Sequence, residues 1–200
     1  METVAAIPVK PFDQAKCRLS DVLSPGRRRQ LGEQLARRTV DVCGRAGAHP
    51  LVLSADDEVT EWARAHGIDV LLDEGSSLDE AAAAAQDWVL ERGAAWMICH
   101  ADLPTLQPRH LVPVISHLAV GGAAIAPSSD GGTSLLGASI RLTTAYGPGS
   151  FHRHLRRLAA HDVGVFTGIG LALDLDTATD LAAALRHPWG AWIADDHSPD

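Results

Sequence analysis

Lysine is scarce in this chain. There are two in 200 residues, Lys10 and Lys16, and both stand in one short stretch with Arg18. With a net charge of −8, a general nucleic-acid-binding surface is not expected, although local cations or a divalent metal still allow phosphate binding. Cysteine is equally sparse. Cys17, Cys43 and Cys99 are isolated and odd in number, so they form neither a disulfide framework nor a zinc pattern, which suits a reducing cytoplasm. No apolar run approaches the roughly 20 residues of a membrane span. No basic segment followed by a long apolar one opens the chain, so neither a membrane partner nor a signal peptide is expected. The ten histidines show no metal spacing; His152 and His154, two apart, fall on different sides of a helix. Also missing are the glycine fingerprint of dinucleotide folds after the first strand and the phosphate-cradling motif ending in Gly-Lys-Ser/Thr.

What is present is a regular alternation of apolar runs and amphipathic stretches. Hydrophobic residues make up 46% of the chain and charged residues 21%, the balance of a globular protein. At 200 residues without a linker or repeat, one domain is expected over 1–193, followed by a flexible tail over 194–200. Strands are predicted at 3–9, 50–54, 68–72, 96–99, 122–126, 135–140, 163–166 and 171–174. Helices are predicted between them, starting at Pro25 behind a Ser24 cap, after Asp56 or Asp57, after Ser76 or Ser77, at Pro108, after Ser150 (Phe151 to His161) and after Thr177. Strands alternating with helices indicate an α/β fold of three layers, α/β/α, around a mostly parallel sheet.

The chain is organised around His100-Ala101-Asp102-Leu103-Pro104, which follows the apolar run Trp96-Met97-Ile98-Cys99. An acidic residue at the carboxyl end of a buried parallel strand stands where open α/β sheets bind ligands; the alternative is that Asp102 caps the next helix. Lys10, Lys16 and Arg18 follow the first strand. Three cations on one loop at the sheet's carboxyl edge suit a triphosphate, lysine as a point charge and arginine as a planar fork, or else form a solvated basic loop. In Leu173-Asp174-Leu175-Asp176-Thr177 the two carboxylates alternate with apolar residues, which puts them on one side of an extended segment. Together with Asp102 they make a candidate Mg²⁺ site, because that ion takes hard oxygen ligands; Asp176 could instead cap the last helix. Asp130-Gly131-Gly132-Thr133 and Gly147-Pro148-Gly149-Ser150 combine glycines, hydroxyls and a helix start, which suits an acceptor pocket for a small phosphorylated carboxylic acid or simply two turns.

At this point the residues resemble a family. Ala6-Ile7-Pro8-Val9-Lys10-Pro11, Ala15-Lys16, Arg18-Leu19, Ala101-Asp102-Leu103-Pro104, Gly132-Thr133, Gly147 with Ser150-Phe151, and Leu173 to Thr177 are similar, in the same order, to the 2-phospho-L-lactate / phosphoenolpyruvate guanylyltransferases. Those enzymes serve biosynthesis of a deazaflavin redox coenzyme. The resemblance spans about 3 to 185 and implies a nucleotide-diphosphosugar transferase-like (GT-A-like) nucleotidyltransferase fold. It further implies GTP as donor, a phosphorylated three-carbon acid as acceptor, Mg²⁺ on the positions of Asp102, Asp174 and Asp176, and acceptor contacts at Thr133, Gly147 and Ser150. Hand-over of product to the next biosynthetic enzyme is also expected. Three positions depart from the family pattern: Cys17 where Ser or Thr is usual, Leu78-Asp79 where Leu-Asn is common, and Thr133-Ser134 where Thr-Asn is frequent. Asp79 is thus expected at the nucleotide, and the departures bear on base preference and acceptor identity. A related nucleotidyl- or glycosyltransferase with another acceptor, and a non-catalytic nucleotide-binding domain, stay open.

Overall fold

The computed structural model describes residues 1–73 and 77–195. One seven-stranded sheet runs through the molecule in the order β3-β2-β1-β4-β6-β5-β7. The strands are β1 Thr3–Pro8, β2 His49–Ser54, β3 Asp69–Leu72, β4 Ala95–Cys99, β5 Ala123–Pro127, β6 Thr133–Ala138 and β7 Val163–Val165. All neighbours pair in parallel except β6, which is antiparallel to both β4 and β5. The helices are α1 Pro25–Arg45, α2 Asp57–Ala65, α3 Leu78–Leu90, α4 Pro108–Ala119, α5 Ser150–Arg157, α6 Ile169–Ala172, α7 Ala178–Arg186 and α8 Trp192–Asp195.

The strands read as continuous apolar runs because helices cover both faces. In β4 all five residues are buried. Ala95, Met97 and Cys99 join α1, α2 and α4 on one face, while Trp96 and Ile98 join α3 and α5 on the other. Gly137 of β6 is required by this packing: a Cβ there would lie 2.7 Å from the Trp96 carbonyl and 3.1 Å from Leu118. A third apolar cluster sits outside the two layers. In it Leu19, Leu31, Leu35, Leu173, Leu175, Leu181 and Ile193 fasten the loop after β1 to the segment before α7.

Most predicted elements are present, and the local signals explain them. Ser24, Asp56 and Ser77 accept the N–H of Arg27, Val59 and Glu80 as helix caps; Ser76, the other start considered for α3, lies outside the described residues. Thr177 and Asp180 form a reciprocal capping box on α7. Four expectations are corrected. The strand expected at 171–174 is the short helix α6 followed by extended chain, because Leu171, Ala172 and Leu173 donate back to Gly168 and Ile169 rather than to a neighbouring strand. Helix α5 starts at Ser150 and ends at Arg157, and Gly149 at φ 68° takes the cap position assigned to Ser150. Strand β6 starts two residues earlier than expected and ends at Ala138. Ala194 belongs to α8, so the tail does not begin there; 196–200 lie outside the described residues.

Candidate active site

Strands β1 and β4 are neighbours whose chains leave in opposite directions, β1 towards β2 and β4 towards β6. The crevice at their carboxyl ends is where such sheets bind ligands. The loop after β1 folds into two short 3-10 turns, Phe12–Gln14 and Cys17–Leu19. Phe12 is buried against Trp62, edge to face at 5.5 Å, and Leu19 is fully buried. Between these anchors Lys16 adopts the left-handed conformation, φ 54° and ψ 38°. It is the one non-glycine residue with positive φ among the described residues. The side chain, 10% exposed, reaches back over the sheet edge and places Nζ 3.1 Å from Asp102 Oδ2 and 3.3 Å from Asp176 Oδ1.

Asp102 follows β4, and its carbonyl accepts the N–H of Leu175 at 2.9 Å. That bond, with Leu173 and Leu175 in the third apolar cluster, brings Asp174 and Asp176 alongside. Asp176 also receives Arg18 Nη1 at 3.4 Å, but Arg18 is 76% exposed. Asp174 accepts from Ser129 Oγ at 2.8 Å. Burial would raise the Asp102 carboxyl, but the Lys16 ammonium and nearby His100 outweigh it and hold the group below the usual carboxylate range. Asp174 is raised instead, first by burial and then by the charges of Asp102 and Asp130, with the Ser129 bond opposing.

The expected metal set is therefore split. Lys16 stands between Asp102 and Asp176, and among the described residues no group of three His, Cys, Asp or Glu side chains is gathered to hold a metal. One observation does fit a cation: Asp102 Oδ1 is buried and has no hydrogen-bond partner among the described residues. A hard, orphaned oxygen that feels the Asp174 carboxylate is a suitable ligand atom for Mg²⁺.

On the near side of the crevice a cavity of about 310 Å³ is walled by Pro8, Val9, Lys10 and Pro11 after β1, Ser54, Ala55 and Asp56 after β2, Asp73 after β3, and Leu78 and Ala81 of α3. Lys10 is exposed at its rim. Asp79 is not in its wall: Oδ1 accepts the Tyr146 N–H at 3.0 Å, tying α3 to the chain before α5.

On the far side, antiparallel β6 starts at the carboxyl edge of β4, so Thr133 lies beside the N-terminus of α5. Thr133 and Ser150 are 2% and 1% exposed. Their hydroxyls meet at 3.0 Å, and Thr133 Oγ1 is 2.9 Å from His154 Nδ1. His154 Nε2 in turn accepts the Ala145 N–H at 2.8 Å. The two hydroxyls are thus engaged within the protein. Gly147, at φ 103°, is exposed at the tip of the turn.

The spacing of the sequence brings Lys16, Arg18, Asp102 and Asp176 into contact, with Asp174 alongside. It sets Lys10 at the cavity rim, and joins Thr133, Ser150 and Gly147 in one turn region. Sequence reasoning missed His154 and Ser129, whose contacts are with segments distant in the chain. His154 in particular carries no metal spacing in the sequence, yet it is buried, at 2% exposed.

A family model described as guanylyl transferase, CofC like, matches residues 3–193. A 2-phospho-L-lactate guanylyltransferase of Methanothermobacter thermautotrophicus is 33% identical over 197 residues, 95% of this chain and 87% of its own length. A phosphoenolpyruvate guanylyltransferase of Sphaerobacter thermophilus is 34% identical, covering 96% of this chain and 97% of that protein. Among solved structures, a Desulfovibrio desulfuricans protein described as a nucleotide-diphospho-sugar transferase superposes with a TM-score of 0.77 at 20% identity, over 98% of this chain and 95% of that one. A cytidylyltransferase of Leptospira borgpetersenii gives 0.59 at 12% identity, over 98% and 93%. At these identities the structures establish the fold, which is the nucleotide-diphosphosugar transferase-like arrangement expected.

Proposed function

The chain belongs to the CofC-like guanylyl transferases, and from that premise we propose that it transfers GMP from GTP to the phosphate of 2-phospho-L-lactate or phosphoenolpyruvate, in the cytoplasm and in deazaflavin coenzyme biosynthesis. The observation that carries this reading is Lys16, buried between Asp102 and Asp176 at the crevice that separates the cavity from the Gly147 turn.

The base would occupy the cavity between the β1 and β2 ends and α3. Guanine presents adjacent N–H donors, and the carboxylates of Asp56 and Asp73 both line that space. The triphosphate would then run past Lys10 towards Lys16 and Arg18. Two lysines and an arginine on one loop counter the charge of the phosphates and of departing pyrophosphate. The acid would sit against the Gly147 turn, with its phosphate directed at the α-phosphorus. A phosphate oxygen forms the new P–O bond as the bond from the α-phosphorus to the bridging oxygen breaks, and pyrophosphate leaves with that electron pair. Phosphate loses its second proton near pH 6, so no general base is required, and the chain contributes positioning and electrostatics.

Asp102 and Asp174 would hold Mg²⁺, with Asp176 keeping Lys16 in place. When bound, the ion neutralises charge on the phosphate oxygens. Product could pass directly to the next enzyme.

The test is pyrophosphate release with Mg²⁺, crossing the four ribonucleoside triphosphates with phosphoenolpyruvate, 2-phospho-L-lactate and 3-phosphoglycerate. Products are identified by mass spectrometry. Release confined to GTP and to one of the first two acids is expected. Equal release with other nucleotides refutes the donor assignment, and release with GTP but neither of those acids refutes the acceptor.

A further inference from the structure

Outside the groups already placed, the densest set of directed contacts belongs to Arg153 on α5. Its guanidinium donates to four consecutive carbonyls: Nε and Nη2 to Ala145 at 3.2 and 2.9 Å, Nη2 to Tyr146 at 3.2 Å and Gly147 at 3.3 Å, and Nη1 to Pro148 at 2.6 Å. All five of its N–H groups lie on three nitrogens in a fixed plane, so four carbonyls must turn towards one point.

In a trans peptide the N–H points opposite the C=O. Every carbonyl drawn onto Arg153 therefore turns the following amide away from it. The first such amide, Tyr146 N–H, points to Asp79 Oδ1 at 3.0 Å. The next is Gly147, and after Pro148, which has no N–H, comes Gly149. Neither glycine amide has a hydrogen-bond partner among the described residues. Both glycines have positive φ, 103° and 68°, and their two amides, on either side of Pro148, leave outward donors that can hold an anion. The guanidinium also cancels the negative ends of the carbonyls behind the turn, which leaves its outer face positive.

We propose that Arg153 is the positioning residue of the acceptor turn: by gathering the carbonyls of residues 145–148 it holds the Gly147 and Gly149 amides outward to receive an anionic group of the phosphorylated acid. This rests on the acceptor reading given above and adds to it the residue that shapes the subsite. Arg153 itself does not touch the acid.

The experiment measures KM for the acid and for GTP in wild type, Arg153→Ala and Arg153→Lys, with ethylguanidinium added to each. For Arg153→Ala a rise of roughly tenfold or more in the acid's KM is expected, with the GTP value changed less than about twofold. Millimolar ethylguanidinium should lower the raised KM of Arg153→Ala and leave wild type unaffected. Arg153→Lys keeps the charge but not the planar fork and should retain most of the defect; should Arg153→Ala fail to fold, this variant carries the test. An unchanged acid KM, or parallel rises for acid and GTP, overturns the inference while the acceptor reading stands. Wild-type protein that binds GTP but turns over neither 2-phospho-L-lactate nor phosphoenolpyruvate overturns the acceptor reading and the inference with it.

Discussion

His154 makes the fold sensitive to acid in a window that can be worked out from its contacts. The Ala145 N–H donates to Nε2 at 2.8 Å. An amide can only donate, so Nε2 carries a lone pair, and the proton of the neutral ring is on Nδ1, facing Thr133 Oγ1 at 2.9 Å. A second ring proton would set two N–H groups against each other. Burial first, then the charges of Arg157 and Arg153, lower the group from 6.5 to about 4, with Asp79 pulling the other way. Because the folded value lies below the unfolded one, the unfolded chain takes up the proton first. The contribution of His154 is therefore complete above about pH 6.5, falls between there and about 4, and is flat below. At about 1.4 kcal/mol per pH unit that gap is worth at most about 3 kcal/mol. The assay is urea unfolding of wild type and His154→Phe, followed by tryptophan fluorescence between about pH 7 and pH 4. The variant loses stability throughout, since it strands the Ala145 amide and Thr133, but it lacks the titration. The wild-type advantage should shrink by up to about 3 kcal/mol across the window. A constant difference would refute the buried neutral ring.

Other consequences concern the crevice and the core. Lys16→Met leaves the Asp102 carboxylate without its ammonium and should lower the pyrophosphate-release rate roughly 10²-fold or more, with an unchanged circular dichroism spectrum. A rate within a few-fold of wild type would remove Lys16 from the phosphate path. Asp174→Asn should raise the Mg²⁺ concentration needed for half-maximal rate well above that of Asp176→Asn; equal shifts in a Mg²⁺ titration would argue against dividing the two roles. Gly137→Ala drives a methyl to 2.7 Å from the Trp96 carbonyl, and should cost about 1–3 kcal/mol in urea unfolding.

The parts of the site legible in the sequence are those set by local grammar. Lys10, Lys16 and Arg18 follow a buried strand, and Asp102 follows another, so their place at the carboxyl edge comes from strand position alone. The alternation of Leu173, Asp174, Leu175 and Asp176 also survives, with both leucines buried or nearly so, at 6% and 0% exposed. Yet the same segment was misread upstream, because four apolar residues before Asp174 suit a strand or one helical turn equally. Contacts between distant segments were not legible. His154 lies two residues from exposed His152 on a short amphipathic helix, and nothing local distinguishes the buried ring. Asp79 was expected at the nucleotide through the family resemblance alone, and its bond to a backbone amide 67 positions away has no local signal.

The placing of Lys16 between Asp102 and Asp176 explains why a strained residue is kept there. A non-glycine side chain in the left-handed region costs about 1–3 kcal/mol, and glycine would relieve it, but glycine carries no charge. Asp102 Oδ2 would then lose its ion-pair partner, and an unpaired carboxylate in a half-buried crevice is costlier than the backbone strain. The apolar cluster of Leu19, Leu173 and Leu175 fixes both ends of this arrangement, so the ammonium is poised before any nucleotide arrives. Its order there is set by the folded protein rather than by the ligand, which is the condition under which a charge stabilises a reaction without reorganising at the moment it is needed. The orphaned Asp102 Oδ1 shows that Lys16 satisfies only one oxygen of that carboxylate. The other stays available to a further cation, so holding the lysine and binding a metal are compatible demands on one aspartate.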